Sequence, residues 1–172
     1  MIPEPWLRGP LPDVNPLVAP ILRALQQAQE DLDKHCGGLT DQEIWNRPYG
    51  LTPLGFHLRH IAGSLDRLTT YLEGGQLTEL QFDFLKSEMD AGGTRQELLA
   101  LIAGAIDRAS QVVRGLDTES LTALRTVGRK HLPTTVIGLA IHLAEHTQRH
   151  VGQAITICNF LAICGFIPSV RA

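Results

Sequence analysis

An all-α fold, with four helices in one domain, is what this sequence predicts, and three observations carry that prediction. Leu, Ala, Gln, Glu and Arg fill long stretches while aromatic residues make up only 5% of the chain, a balance that favours helix over strand. Apolar residues recur three and four positions apart along the long segments, so each has one face to bury. Glycine pairs, prolines and capping residues punctuate the breaks between them. Nothing reads as a sheet. At 172 residues the chain can bury one well-packed core and is short for two.

Six of the ten prolines fall in the first twenty residues, so residues 1–15 read as an extended arm, either laid across the bundle with Trp6 as anchor or mobile. Asn15-Pro16 is a cap and first-turn pair for the first helix, which runs to Cys36, where Gly37-Gly38 ends it. Thr40 to Arg47 reads as a short helical turn opened by the capping box Thr40-Asp41-Gln42-Glu43. Thr52-Pro53 starts the second helix, whose inward stripe is Leu54, Leu58, Ile61, Leu65, Leu68 and Leu72 and which stops before Gly74-Gly75. Residues 76–93 form a long connection with one helical turn around Phe82 to Met89. Thr94 caps the third helix, where Leu98, Leu101, Ile102, Ala105, Ala109 and Val112 point one way, and Gly115 closes it. The fourth begins near Pro133-Thr134 and continues to about Cys164. The domain therefore spans 16–165 and a tail covers 166–172.

The net charge of −3 argues against nucleic acid and against an anionic membrane surface, either of which wants a basic face. MIPEPWLRGP lacks the charged head and apolar core of an export signal. Cys36, Cys158 and Cys164 sit at no metal or disulfide spacing, and an odd number of cysteines suits reduced thiols in a cytoplasmic protein. Val151 to Val170 carries no formal charge, but its polar residues, glycines and Pro168 suit a buried core helix better than a membrane span.

The most informative residues are His146 and His150. Along the fourth helix Leu139, Leu143, His146, His150, Ala154 and Ile157 follow the 3-4 spacing and lie within about 40° of one direction, the inward one. An imidazole there has left water, and an unmet polar group costs about 1–3 kcal/mol. Histidines four apart can place nitrogens about 2.0–2.1 Å from a single ion, with a third ligand coming from His57 or His60 at the start of the second helix. The bland alternative is a pair of hydrogen-bonded core histidines without metal. His142-Leu143-Ala144-Glu145-His146 fits the H-x-x-E-H pattern of inverted zinc peptidases. However, no acidic residue follows Glu145 to serve as the further ligand, and Glu145 points about 120° from the seam.

At these residues the chain resembles a known family. His142-Leu143-Ala144-Glu145-His146-Thr147-Gln148-Arg149-His150-Val151-Gly152-Gln153 is similar to the helix-four histidine signature of the DinB/YfiT-like superfamily. Arg59-His60-Ile61-Ala62-Gly63-Ser64 resembles its second-helix element, and Leu39 to Glu43 with Arg47-Pro48 its first inter-helix loop. The resemblance implies a four-helix bundle with a long crossover, running up-down-down-up, often as a homodimer. It also implies a zinc or nickel site on His60, His146 and His150. Periodicity alone favours His57, which lies nearer the second helix's stripe, so His57 stands as the alternative ligand. Val151 replaces the arginine usual after the last histidine, removing a cation beside the site.

A site of this kind is electrophilic. It can ionise water for hydrolysis, or hold a low-molecular-weight thiol for S-transfer to a small-molecule electrophile; some members of the family use such thiols. Hydrolysis wants a carboxylate base, for which Asp66, Glu88 and Asp90 are candidates. His142, Gln153 and Ser64 are candidates for supporting contacts around the ligands. The alternative function is a bundle that holds metal without turnover, or one that acts through dimerisation or partner binding.

Overall fold

The computed structural model describes residues 2–164. It is mostly helical: α1 (Ala19–Cys36), α2 (Leu54–Leu72), α3 (Glu79–Ser87), α4 (Arg95–Arg114) and α5 (Val136–Cys164), with one antiparallel hairpin, β1 (Leu124–Val127) and β2 (Leu132–Thr135). Among the long helices α2 packs on both α4 and α5, and α1 packs on both as well. Two apolar clusters fill the interior. One gathers Leu25, Leu32, Leu58, Ile61, Ile102 and Leu143; the other gathers Val18, Leu22, Leu72, Val113, Val136 and Leu139.

Contacts along the helices fix their mutual directions. Gln148 Nε2 donates to Ala24 O at 2.7 Å, and Cys36 meets Cys158, so α1 and α5 advance together. Arg59 bonds Gly92 just before α4 while Asp66 meets Arg108, so α2 and α4 also advance together. His57 touches His150 and His60 touches His146, so α2 and α5 run in opposite senses. At the fully buried positions of α2 and α5 the expected stripes recur: Leu54, Leu58, Ile61, Leu65, Leu143 and Ala154 are wholly inside.

Several elements differ from the sequence expectation. The first helix starts at Ala19 rather than Pro16 because Pro20 has no N–H to give a carbonyl four residues back, so it must lie in the first turn. Asn15 Oδ1 instead accepts from Leu17 N in the preceding turn. The connection 76–93 holds a nine-residue helix, α3, opened by a complete capping box in which Thr78 and Gln81 exchange side-chain bonds. The expectation of no sheet is overturned by the hairpin, whose turn places Gly128 and His131 at positive φ. Pro133 therefore lies in β2, where an edge position tolerates its missing donor. α5 begins at Val136, with Thr135 Oγ1 accepting from Gly138 N. On α4 the buried face is Leu98, Ile102, Ile106, Ala109 and Val113, while Leu101 is 44% exposed.

The arm lies on α1. Arg8 makes a bidentate pair with Glu30 at 2.7 Å, and Arg23 reaches Gly9 O. Trp6 is not the anchor: it is 67% exposed and donates only to Glu4, while Pro5 and Val14 are the buried residues. Thr40 and Glu43 do form the expected reciprocal cap, ahead of a single 3-10 turn at Glu43–Trp45. Among the described residues no helix is long and apolar enough to cross a membrane. The expected tail 166–172 lies outside the described residues, as does the side chain of Cys164.

Candidate metal centre

Two histidines of α2 meet two of α5. Thr52-Pro53 breaks the chain into α2 just before Leu54, which puts His57 and His60 in its first turns, one helical step apart. Gly55 is required there, since a Cβ at that position would lie 2.6 Å from the Trp45 ring. On α5, His146 and His150 stand one turn apart between the buried Leu143 and Val151. One nitrogen from each of His60, His146 and His150 can be chosen so that all three lie within 4.8 Å of one another. His60 Nε2 and His146 Nε2 are 3.0 Å apart.

That geometry fits an ion. Two nitrogens each about 2.0–2.1 Å from a tetrahedral centre are about 3.3 Å apart, close to the spacing found. The surrounding hydrogen bonds also set the tautomers. Glu88 Oε2 sits 2.6 Å from His60 Nδ1, so Nδ1 carries the proton and Nε2 presents a lone pair to His146. His57 Nδ1 and His150 Nδ1 are 3.2 Å apart. With His150 donating there, its Nε2 is free to ligate and the proton of His57 sits on Nε2. Phe56 stacks on His60 with an interplanar angle of 16°, which holds the ring plane.

Burial keeps His57, His146 and His150 neutral. Desolvation, then the charge of His60, lowers His57 to a pKa of about 4. His146 is likewise lowered to about 4, first by desolvation and then by its histidine neighbours and Arg149; His150 is lowered to about 4 by desolvation and by the surrounding histidines. Neutral imidazoles are the form a metal requires.

Of the three carboxylates the sequence offered without placing them, Glu88 is the one that reaches the cluster. It is 2% exposed and shares its two oxygens between His60 and Arg67, whose guanidinium approaches Oε1 at 2.8 Å. The connection is built to deliver it. Gln81 anchors α3 to Asp66 and Thr70 of α2, and Arg59 binds the carbonyls of Ser87, Asp90 and Gly92 beneath the Trp45 ring. Gly63 completes the fit: a Cβ there would meet Glu88 and Phe84 at 2.6 Å and Arg67 at 2.8 Å. The signal that could have found this segment is the Thr78-Glu79-Leu80-Gln81 capping pattern, which opens a helix whose C-cap is Glu88.

The other sequence candidates lie around the cluster without joining it. His142 is exposed and pairs with Glu145 at 3.1 Å, and Glu145 faces solvent with Arg149 as its second partner. Ser64 is buried, but its hydroxyl donates to Ile61 O, within its own helix. Asp66 is held by Arg108 and Gln81, and Asp90 contributes only its backbone carbonyl. Gln153 is exposed. Together with Leu51, Thr52, His57, Arg149, Gly152, Thr156 and Ile157 it lines a cleft of about 420 Å3 beside His57.

A mostly helical chain with a half-buried histidine cluster between two long helices defines the class. The family model described as the DinB superfamily matches residues 24–154, and the chain belongs to that superfamily. No curated protein matches the chain. Membership accords with the motifs on α2 and α5 and with the inter-helix loop that carries Thr40 and Glu43.

Proposed function

We propose that this chain is a metal-dependent enzyme of the DinB superfamily in which His60, His146 and His150 hold one zinc or nickel ion. The observation that carries the reading is the 3.0 Å approach of His60 Nε2 to His146 Nε2. Glu88 has fixed the His60 tautomer, so His60 brings a bare lone pair to that contact. A cation between the rings satisfies both nitrogens, and a proton on His146 Nε2 is the metal-free alternative. When bound, such an ion supplies Lewis acidity, the property shared by hydrolysis and by S-transfer from a low-molecular-weight thiol.

The chain's own residues do the rest. Glu88 holds the His60 ring with one oxygen and Arg67 engages the other, so Glu88 is a positioning residue and not a free base. His57 accepts the Nδ1 proton of His150 and borders the cleft, which is sized for a small molecule. With both Glu88 oxygens engaged, the carboxylate base that hydrolysis favours is already occupied. S-transfer to a small electrophile therefore suits this arrangement better.

The finer architecture belongs to the same reading: an up-down-down-up four-helix bundle over 16–165, with an N-terminal arm at 1–15 and a short tail at 166–172. The directions of α1, α2, α4 and α5 support it. A cytoplasmic homodimer completes the proposal, supported by the charge-free exposed positions Gly152, Gln153, Thr156 and Asn159 on α5.

The test uses untagged protein. Wild type is expected to carry about one zinc or nickel per chain and His146→Ala to carry none. A panel of thiol cosubstrates with electrophiles, and of simple esters and amides, is then run on both. Turnover by wild type alone supports the enzyme. Equal metal content in the two proteins would overturn the site, and metal without turnover would leave a binding protein in place of an enzyme.

A further inference from the structure

We propose that Cys36 and Cys158 form a peroxide-oxidisable dithiol whose disulfide joins the end of α1 to the C-terminal part of α5. The two sulfurs are 3.3 Å apart, inside ordinary sulfur–sulfur contact, and a disulfide needs them at about 2.05 Å. Their side chains therefore already face each other, and about 1 Å of closure is all that bonding requires. Both residues are buried in the same apolar cluster, with Cys36 fully enclosed and Cys158 4% exposed. The pair stands apart from the histidines and does not depend on the metal reading.

The surroundings favour one sulfur as the attacking group. Either thiol can donate across this contact; with Cys36 donating, Cys158 is lowered, and the same contact together with burial pushes the Cys36 thiol up. With hydrogen peroxide as oxidant the step balances. The Cys158 thiolate attacks one peroxide oxygen, the O–O bond breaks, and hydroxide leaves to take a proton as water. The Cys36 thiol then attacks the sulfenic sulfur, the S–O bond breaks, and a second water carries off the remaining hydrogen. Two thiols and one peroxide give one disulfide and two waters.

Because Cys158 and Cys164 fall in one tryptic peptide, between Arg149 and Arg171, the experiment uses the full chain carrying Cys164→Ser. It is exposed to hydrogen peroxide, quenched, denatured and alkylated. The expected product has lost two hydrogen masses, takes up no alkyl group, and yields a cross-linked peptide pair containing Cys36 and Cys158. Its thermal midpoint rises by several degrees, because a loop of this length is closed in the unfolded chain, and dithiothreitol reverses the change. Adding Cys36→Ala to the same background removes the mass loss. Full alkylation of both thiols after the exposure, or oxygen addition to either sulfur without cross-linking, would overturn the proposal.

Discussion

Two connections flank α4, and only one of them reaches the histidines. Residues 73–94 fold into α3, tie themselves to α2 through Gln81 and Arg59, and deliver the buried carboxylate of Glu88 to His60. Residues 115–135 form a hairpin whose Leu124 and Leu132 are mostly exposed and whose main tie to the helices is Arg125 on Leu72 O. The difference teaches where substitution should matter. A buried ionised group must be fully partnered, so everything that positions Glu88 is constrained. The hairpin is held by its own ladder, by Arg125 on Leu72 O and by Arg129 over the Phe82 ring, and it buries no comparable carboxylate.

The contrast can be broken at its strongest point first. His146→Ala should lower metal affinity more than about 100-fold, beyond the 10–100-fold typical of supporting contacts; calorimetric titration with zinc reads it, and unchanged affinity would remove His146 from the site. Glu88→Gln comes next. It should weaken the metal about 10–100-fold and cost about 3 kcal/mol in urea unfolding, because Arg67 then stays buried without its anion. A loss confined to stability would make Glu88 a structural partner of Arg67 alone.

Acid should act on the same region. In the metal-free protein His57, His146 and His150 have pKa values lowered to about 4, against about 6.5 in the unfolded chain. Between those values the unfolded state binds more protons, so stability must fall as pH drops from about 7 towards 4. Urea midpoints compared at pH 7 and pH 5 test it, and a midpoint that does not fall contradicts the buried, neutral histidines. Gly63→Ala should cost about 1–3 kcal/mol by overpacking and weaken metal binding by displacing Glu88. At the other end of the scale, Leu124→Thr in the hairpin should change stability by less than about 0.5 kcal/mol and leave metal affinity alone.

How much of this was legible in the sequence varied with how local the signal is. The inward pair His146 and His150 followed from helical spacing, because one helix carries both. The choice between His57 and His60 was not settled by phase, and the geometry explains why. α2 packs on both α4 and α5, so a residue at the margin of its buried stripe can face α5. His60 does so while the more buried His57 backs His150. Glu88 was out of reach because it lies 28 residues beyond His60 and its approach depends on α3 docking over Gly63. The sequence reading placed only one turn around Phe82 to Met89 there; the capping pattern at Thr78 opens the helix earlier, yet nothing in it says which side chain turns inward. The hairpin was missed because Pro133-Thr134 imitates a helix start, and the alternation that marks its strands lasts only four residues each.

X-ray absorption at the metal edge of the untagged protein reads the ligand shell itself. A zinc or nickel ion with three imidazole nitrogens at about 2.0–2.1 Å is expected, with loss of that signature in the protein lacking His60. A chain that retains no metal, or an ion whose shell contains no imidazole, would contradict the three-histidine site.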